Sequence, residues 1–144
     1  MGDEVMKVLV IDGQGGGLGR QLVSAVKEYD EDIEVMAVGT NSAATNAMLK
    51  AGADQAATGE NSVVVASARA DVIMGPVGIV IADSMLGEIT PRMAVAVGQS
   101  SAKRILIPVN LCDNIVVGVS DVSMGKNVQN AIESLKKSFD SDGN

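Results

Sequence analysis

The sequence predicts an α/β protein: a single Rossmann-like domain over residues 1–144, doubly wound around a mainly parallel sheet. Three observations carry that expectation. An apolar run over residues 5–11 ends in a glycine cluster from Gly13 to Gly19, and an amphipathic helix pattern begins inside that cluster. Strand, tight glycine turn and helix is the order in which such folds build a phosphate site. Strand-like runs then alternate with helix-length segments, as βαβ units require. The length of 144 residues suits one domain with a sizeable core and no second catalytic domain.

The elements follow in order. Residues 5–11 are apolar except at Lys7, the near-continuous pattern of a strand buried on both faces. After the glycines, Leu18, Leu22, Ala25, Val26 and Tyr29 form the stripe of one helix face laid on a sheet, with the Tyr29 ring expected to be buried. Asp30-Glu31-Asp32 turns the chain. Residues 33–38 read as a second strand, and 43–51 as a short helix capped by Asn41 or Ser42 and closed by Gly52. Residues 53–57 are a weak third strand. Asn61 then caps a helix over 62–69, although Val63-Val64-Val65 also suits a strand. A fourth strand covers 71–74.

Residues 79–86 are apolar almost all round, apart from Asp83 and Ser84. If helical, such a segment is buried inside the protein or against a partner subunit, so a homo-oligomer is expected. Thr90-Pro91 is an N-cap with Pro at the first helical position, opening a helix that closes at Gly98. Two further strands, 104–109 and 115–119, precede a last helix over 123–137. That helix carries Val128, Ala131, Ile132 and Leu135 on one face. Residues 140–144 read as a polar, frayed tail.

Composition narrows the function. The net charge of -7 and a pI near 4.4 leave no basic patch for phosphate counterions to be displaced from, which argues against a nucleic-acid partner. Hydrophobic residues make up 47% of the chain, yet Tyr29 and Phe139 are its only aromatics, so aliphatic residues and some of the eight methionines must build the core. No apolar run approaches the roughly 18 residues of a membrane span. Acids at Asp3 and Glu4 stand where a secretory signal carries bases, and Met6 replaces the Ser or Thr of a myristoylation site. A cytoplasmic location and no membrane contact are the expectation. The chain has no His and one Cys, which excludes Ser-His-Asp and Cys-His catalysis, an internal disulfide and a zinc site. No metal is expected.

The glycine cluster then has to be read by its spacing. Gly13 and Gly15 do not extend to G-x-G-x-x-G, because Leu18 stands where the third glycine belongs. Gly13, Gly17 and Gly19 match G-x-x-x-G-x-G, a spacing that resembles the short-chain dehydrogenases. Walker A fails, since Gln14 replaces its first glycine and Arg20-Gln21 replace its Lys and Ser/Thr. Glycine at such a turn lets backbone N–H groups approach a pyrophosphate at a helix N-terminus. Gly13, Gln14, Gly15, Gly16, Gly17, Leu18 and Gly19 are therefore the expected contacts. Turns after the other strands gather along the same sheet edge and add Thr40, Asn41, Gly75 and Pro76.

NAD(P) is the expected cofactor. An acid at the end of the second strand would hold a ribose 2′-OH, but Gly39-Thr40-Asn41 stands there, which shifts the preference from NAD to NADP. Thr40, Asn41, Ser42 and Arg20 are the donors available to a 2′-phosphate. A smaller phosphorylated metabolite is the alternative ligand.

No catalytic set accompanies this turn. Ile33 follows Tyr29 at the position where short-chain dehydrogenases place Lys. Cys112 has no His to activate it and reads as an inert thiol. Glu60 and Glu88 lie beside glycines in expected loops, where a carboxylate can act as a general base. The plainer reading makes Glu60 a charge at a helix N-terminus and Glu88 a solvated loop charge. The methionines read as core filler.

Five blocks together resemble a small bacterial family classed as a domain of unknown function. They are Ile11-Asp12-Gly13-Gln14-Gly15-Gly16-Gly17, Gly39-Thr40-Asn41, Thr58-Gly59-Glu60-Asn61, Gly75-Pro76-Val77-Gly78 and Ser84-Met85-Leu86-Gly87-Glu88-Ile89-Thr90-Pro91. The resemblance implies a stand-alone small protein and brings no reaction, substrate or catalytic residue with it.

The resulting expectation is a nucleotide-binding sensor or accessory protein, holding NAD(P) through the glycine turn. Two alternatives stand beside it. One is a small enzyme acting on a nucleotide or phosphorylated metabolite with Glu60, Glu88 or Asn110. The other is an oligomeric scaffold without a ligand.

Overall fold

The elements in chain order are β1 (Lys7–Asp12), α1 (Gly17–Tyr29), β2 (Glu34–Gly39), α2 (Ser42–Lys50), β3 (Gln55–Thr58), α3 (Glu60–Arg69), β4 (Val72–Pro76), α4 (Pro91–Gln99), β5 (Lys103–Ile107) and α5 (Met124–Asp142), with one 3₁₀ turn at Val77–Val80. They come from a computed structural model that describes residues 5–109 and 113–142. The five strands form a single sheet in the order β3-β2-β1-β4-β5, and every pairing is parallel. This is the expected α/β class, with the 3-2-1-4-5 strand order of a Rossmann-like sheet. The chain leaves β1 toward β2 on one side and enters β4 on the other. The switch point of the sheet therefore lies between the carboxyl ends of β1 and β4, where crevices form in such folds.

Parallel strands buried on both faces sort their side chains by alternation. Val8, Val10, Val35, Ala37, Val72 and Met74 point to one face, where Leu18, Leu22 and Val26 of α1 and Val128, Ala131 and Leu135 of α5 cover them. Leu9, Ile11, Met36, Val38 and Ile73 point to the other, under Val63 and Ala66 of α3 and Met93 and Val97 of α4. Each fully buried aliphatic side chain contributes roughly 1.5–3 kcal/mol relative to exposure. Met36, Met48, Met74, Met85 and Met93 are all buried, filling space in a core without aromatic rings.

Local capping chemistry explains several boundaries. Asn41 caps α2, its side chain accepting from the Ala44 N–H. Thr90 caps α4, with Pro91 at the first helical position as expected. Gly52 follows α2 with φ +115°, a backbone that side chains rarely adopt. Helix α3 begins earlier than expected: Gly59 is its N-cap, Glu60 sits in its first turn, and Asn61 is an exposed helical residue.

Other expectations are corrected. Residues 79–86 are not a helix: the 3₁₀ turn ends at Val80, and Asp83, Met85 and Leu86 all take positive φ. The turning backbone folds Ile79 and Met85 into the protein's own core while Leu86 stands fully exposed. Residues 115–119 form no strand. Gly118, at φ +89°, breaks the extended run, and Ile115 and Val117 are about nine-tenths exposed. Tyr29 is 38% exposed, because it falls on the last residue of α1 where the helix leaves the sheet. Helix α5 continues to Asp142, through most of the expected tail. Cys112 and Asn110 lie outside the described residues.

Candidate functional site

The glycine turn is built around a carboxylate. Asp12, the last residue of β1, is buried, and its two oxygens accept from the N–H of Gly13 at 2.8 Å and of Gly19 at 2.6 Å. Gly16 is the N-cap of α1 and has no side chain to satisfy the first amides of the helix. Asp12 reaches forward and does that for Gly19. Burial pushes the Asp12 carboxyl above its ordinary value of 3.8, against the lowering by the Gly19 and Gly13 amides, and the Glu88 charge raises it further.

The glycines divide into two groups. A Cβ on Gly13 would lie 2.6 Å from Glu88 Oε1, on Gly16 2.8 Å from the Ala44 Cα, and on Gly19 2.6 Å from Met48 Sδ. Gly16 also sits at φ +74°. These three are glycine because the fold packs against them. Gly15 and Gly17 are different: both are exposed, and nothing lies within 4 Å of where a side chain would be. No acceptor among the described residues reaches the N–H of Gly15, Gly17 or Leu18. Leu18 turns its side chain into the core.

The loop after β4 closes over this turn. Glu88 Oε1 accepts from the Gln14 N–H at 2.8 Å and from Thr40 Oγ1 at 2.8 Å. Its Oε2 accepts from Asn41 Nδ2 at 3.2 Å, and that same amide donates to the Gln14 carbonyl at 2.8 Å. Partial burial raises the Glu88 carboxyl, but the donors from Gln14, Thr40 and Asn41 outweigh it and hold the group below its ordinary 4.5. Glu88 is thus ionised and tied to the turn, which corrects its reading as a solvated loop charge. Thr40 and Asn41, expected as donors to a 2′-phosphate, both donate to Glu88 instead.

Gly75 and Pro76 lie inside β4 and are buried. A Cβ on Gly75 would run into the Ile11 carbonyl, so glycine there serves the β1–β4 approach. Glu60, named as a candidate base, accepts from Thr90 Oγ1 at 2.6 Å and lies 3.6 Å from the Arg92 guanidinium. It joins the starts of α3 and α4, away from the contacts of the glycine turn. Sequence reasoning missed the role of Asp12. Its signal was local: a carboxylate ending an otherwise apolar strand, directly before the glycines. The contact of Glu88 with Gln14 spans 74 residues and has no local signature.

Among the described residues no helix is long and apolar enough to cross a membrane. Comparison with curated proteins gives no match. Among solved structures the chain is similar to a dodecameric FMN-dependent UbiX-like decarboxylase from Escherichia coli O157:H7. The identity is 19% and the TM-score 0.44, over 91% of this chain and 77% of that one. The profile of one family, described as a domain of unknown function (DUF3842), matches residues 7–140. The chain spanning β1 to α5, glycine turn included, belongs to that family.

Proposed function

We propose that the protein binds a nucleotide or another phosphorylated ligand at the glycine turn, NAD(P) among the candidates, and acts as a sensor or accessory protein. One observation carries the reading. Gly15 and Gly17 have no packing reason to be glycine, and they present free N–H groups beside Leu18 at the start of α1. Amides at a helix N-terminus attract anions through their partial positive charge, and bare glycines let a phosphate come close. The placement at the switch point of the sheet supports the same position.

Among the described residues nothing at the turn selects NADP over NAD, because Thr40 and Asn41 are engaged with Glu88. A sensor or accessory role is favoured over an enzyme because Glu60 is held by Thr90 and Glu88 by the turn itself. Thermal shift assays with NAD, NADP, ADP, ATP, FMN, FAD and sugar phosphates test the reading. A ligand at about 100 times its Kd adds roughly 2.7 kcal/mol of stability, a rise of several degrees. No shift with any of them refutes it.

A further inference from the structure

The Glu88 carboxylate sits among donors suited to an incoming anion. It accepts from the backbone of the glycine turn at Gln14 and from both polar side chains at the end of β2, Thr40 and Asn41. The neighbouring amide, Gly13 N–H, is already bonded to Asp12. A phosphate approaching this turn would therefore meet two carboxylates on consecutive amides. One of them, Asp12, is fixed at the end of β1 and buried. The other is carried by a loop.

That loop, 81–90, is held in an unusual backbone. Met85, Leu86 and Gly87 are three consecutive residues at φ +57°, +55° and +88°, and Asp83 stands at +67°. Left-handed backbone is costly for residues other than glycine and persists only where surrounding contacts hold it. Asp83 N–H donates to the Ile89 carbonyl at 2.7 Å, Gly87 N–H to that of Asp83 and Glu88 N–H to that of Met85. The buried Ser84 hydroxyl donates to the Gly78 carbonyl, and Ile89 is anchored in the core. Met85 is buried under the loop and Leu86 is fully exposed at its tip. The far end is pinned where Thr90 caps α4. The bonds to Gln14, Thr40 and Asn41 then join the loop to the turn across the switch point.

We infer that Glu88 is an internal competitor for the anion site: its carboxylate occupies the Gln14, Thr40 and Asn41 donors beside the open amides of Gly15, Gly17 and Leu18, and an anionic ligand that uses both sets binds fully by displacing it. The inference rests on the proposed function and adds how that site is regulated. On displacement, Gln14 N–H, Thr40 Oγ1 and Asn41 Nδ2 pass from Glu88 to the ligand's oxygens, and the Glu88 side chain turns away with the exposed tip of the loop while Ser84 and Ile89 stay anchored. Closed wild-type protein then binds with an affinity reduced by the fraction of molecules that are open.

The test uses the full chain with Glu88→Gln and Glu88→Ala, each checked by circular dichroism for an intact fold. Inorganic pyrophosphate and ADP are the probes, titrated by calorimetry, with the Met85 methyl followed by NMR. Both variants are expected to bind roughly tenfold or more tightly than wild type, the gain from a site that is open less than about a tenth of the time. In wild type, saturation should move the Met85 resonance toward its position in Glu88→Ala. Equal affinity in all three proteins overturns the displacement while leaving the binding site in place. Weaker binding in both variants overturns it too, and makes Glu88 a direct ligand contact. Absence of binding to the probes in all three, with no shift in the wider ligand panel, removes both the site and its regulation.

Discussion

Asp12 accepts from the Gly19 N–H at 2.6 Å, so the residue that ends β1 supplies the side-chain cap of the helix that follows the turn. The bond spans seven positions and closes the glycine turn from below. It leaves the outer amides of Gly15, Gly17 and Leu18 free, and those are the ones the proposed ligand needs.

Asp12→Asn is expected to destabilise the protein by roughly 1–3 kcal/mol, the cost of leaving a buried polar group unsatisfied. Asp12 receives two N–H donors, and an asparagine amide has one acceptor oxygen to offer them. Its NH₂ would face the second donor. Urea unfolding of the two proteins measures the difference. A variant as stable as wild type would mean that the Asp12 bridge contributes nothing net.

Stability should also depend on pH through Glu88, with a sign fixed by its hydrogen bonds. Its carboxyl lies below the ordinary 4.5 in the folded protein. The stabilisation it provides is therefore fully present above that value and is lost as pH falls through the lower, folded one. Asp12 works in the opposite direction. Its carboxyl is raised above 3.8, so its contribution to folding declines as pH rises from that value through the folded one. Glu88→Gln removes the first dependence and relieves the charge that raises Asp12. The stability difference between wild type and Glu88→Gln should be largest at neutral pH and shrink in acid. Urea melts across the carboxylate range check this, and a difference independent of pH would contradict it.

What could be read from the sequence was what local chemistry decides. The strands were legible because parallel strands buried on both faces are continuous apolar runs, and 8–11 and 35–38 are such runs. Thr90-Pro91 announced its helix because a cap and an N1 proline act on their immediate neighbours. Residues 79–86 misled because apolar character records burial without recording backbone. Ile79 and Met85 are buried as that character demands, but through turns with positive φ. Residues 115–119 carry β-branched side chains yet form no strand, since a strand also needs a ladder partner and an unbroken extended backbone. The candidate site was half legible. Its glycines were visible, but the reasons for them were Ala44, Met48 and Glu88, which reach the turn only in the folded chain.

Ser67 offers a test of the core between α3 and α4. Its hydroxyl is buried and has no hydrogen-bond partner among the described residues, while its backbone carbonyl accepts from Ser100 Oγ at 2.7 Å. Ser67→Ala removes the unsatisfied group, keeps that carbonyl bond and improves helix propensity. Stability should be unchanged or rise by up to about 1–2 kcal/mol. Urea unfolding reads it directly, and a clear loss would reveal a partner for the hydroxyl in solution.

The two classes of glycine make the sharpest comparison. Gly16→Ala places a Cβ against the Ala44 Cα at a residue with φ +74°. The left-handed backbone alone costs about 1–2 kcal/mol, and the clash adds to it because main chain does not give way easily. Gly17→Val meets nothing within 4 Å and is the first residue of α1, so the fold should tolerate it. The valine side chain would instead stand over the free amides where a phosphate has to approach. Gly17→Val is therefore expected to unfold within about 0.5 kcal/mol of wild type and to lose the thermal shift given by any ligand that binds the turn. Unfolding and ligand titration on the same two variants separate the roles. If Gly17→Val keeps its ligand shift, the anion is held elsewhere, and the open glycines of this turn are only the exposed end of a helix.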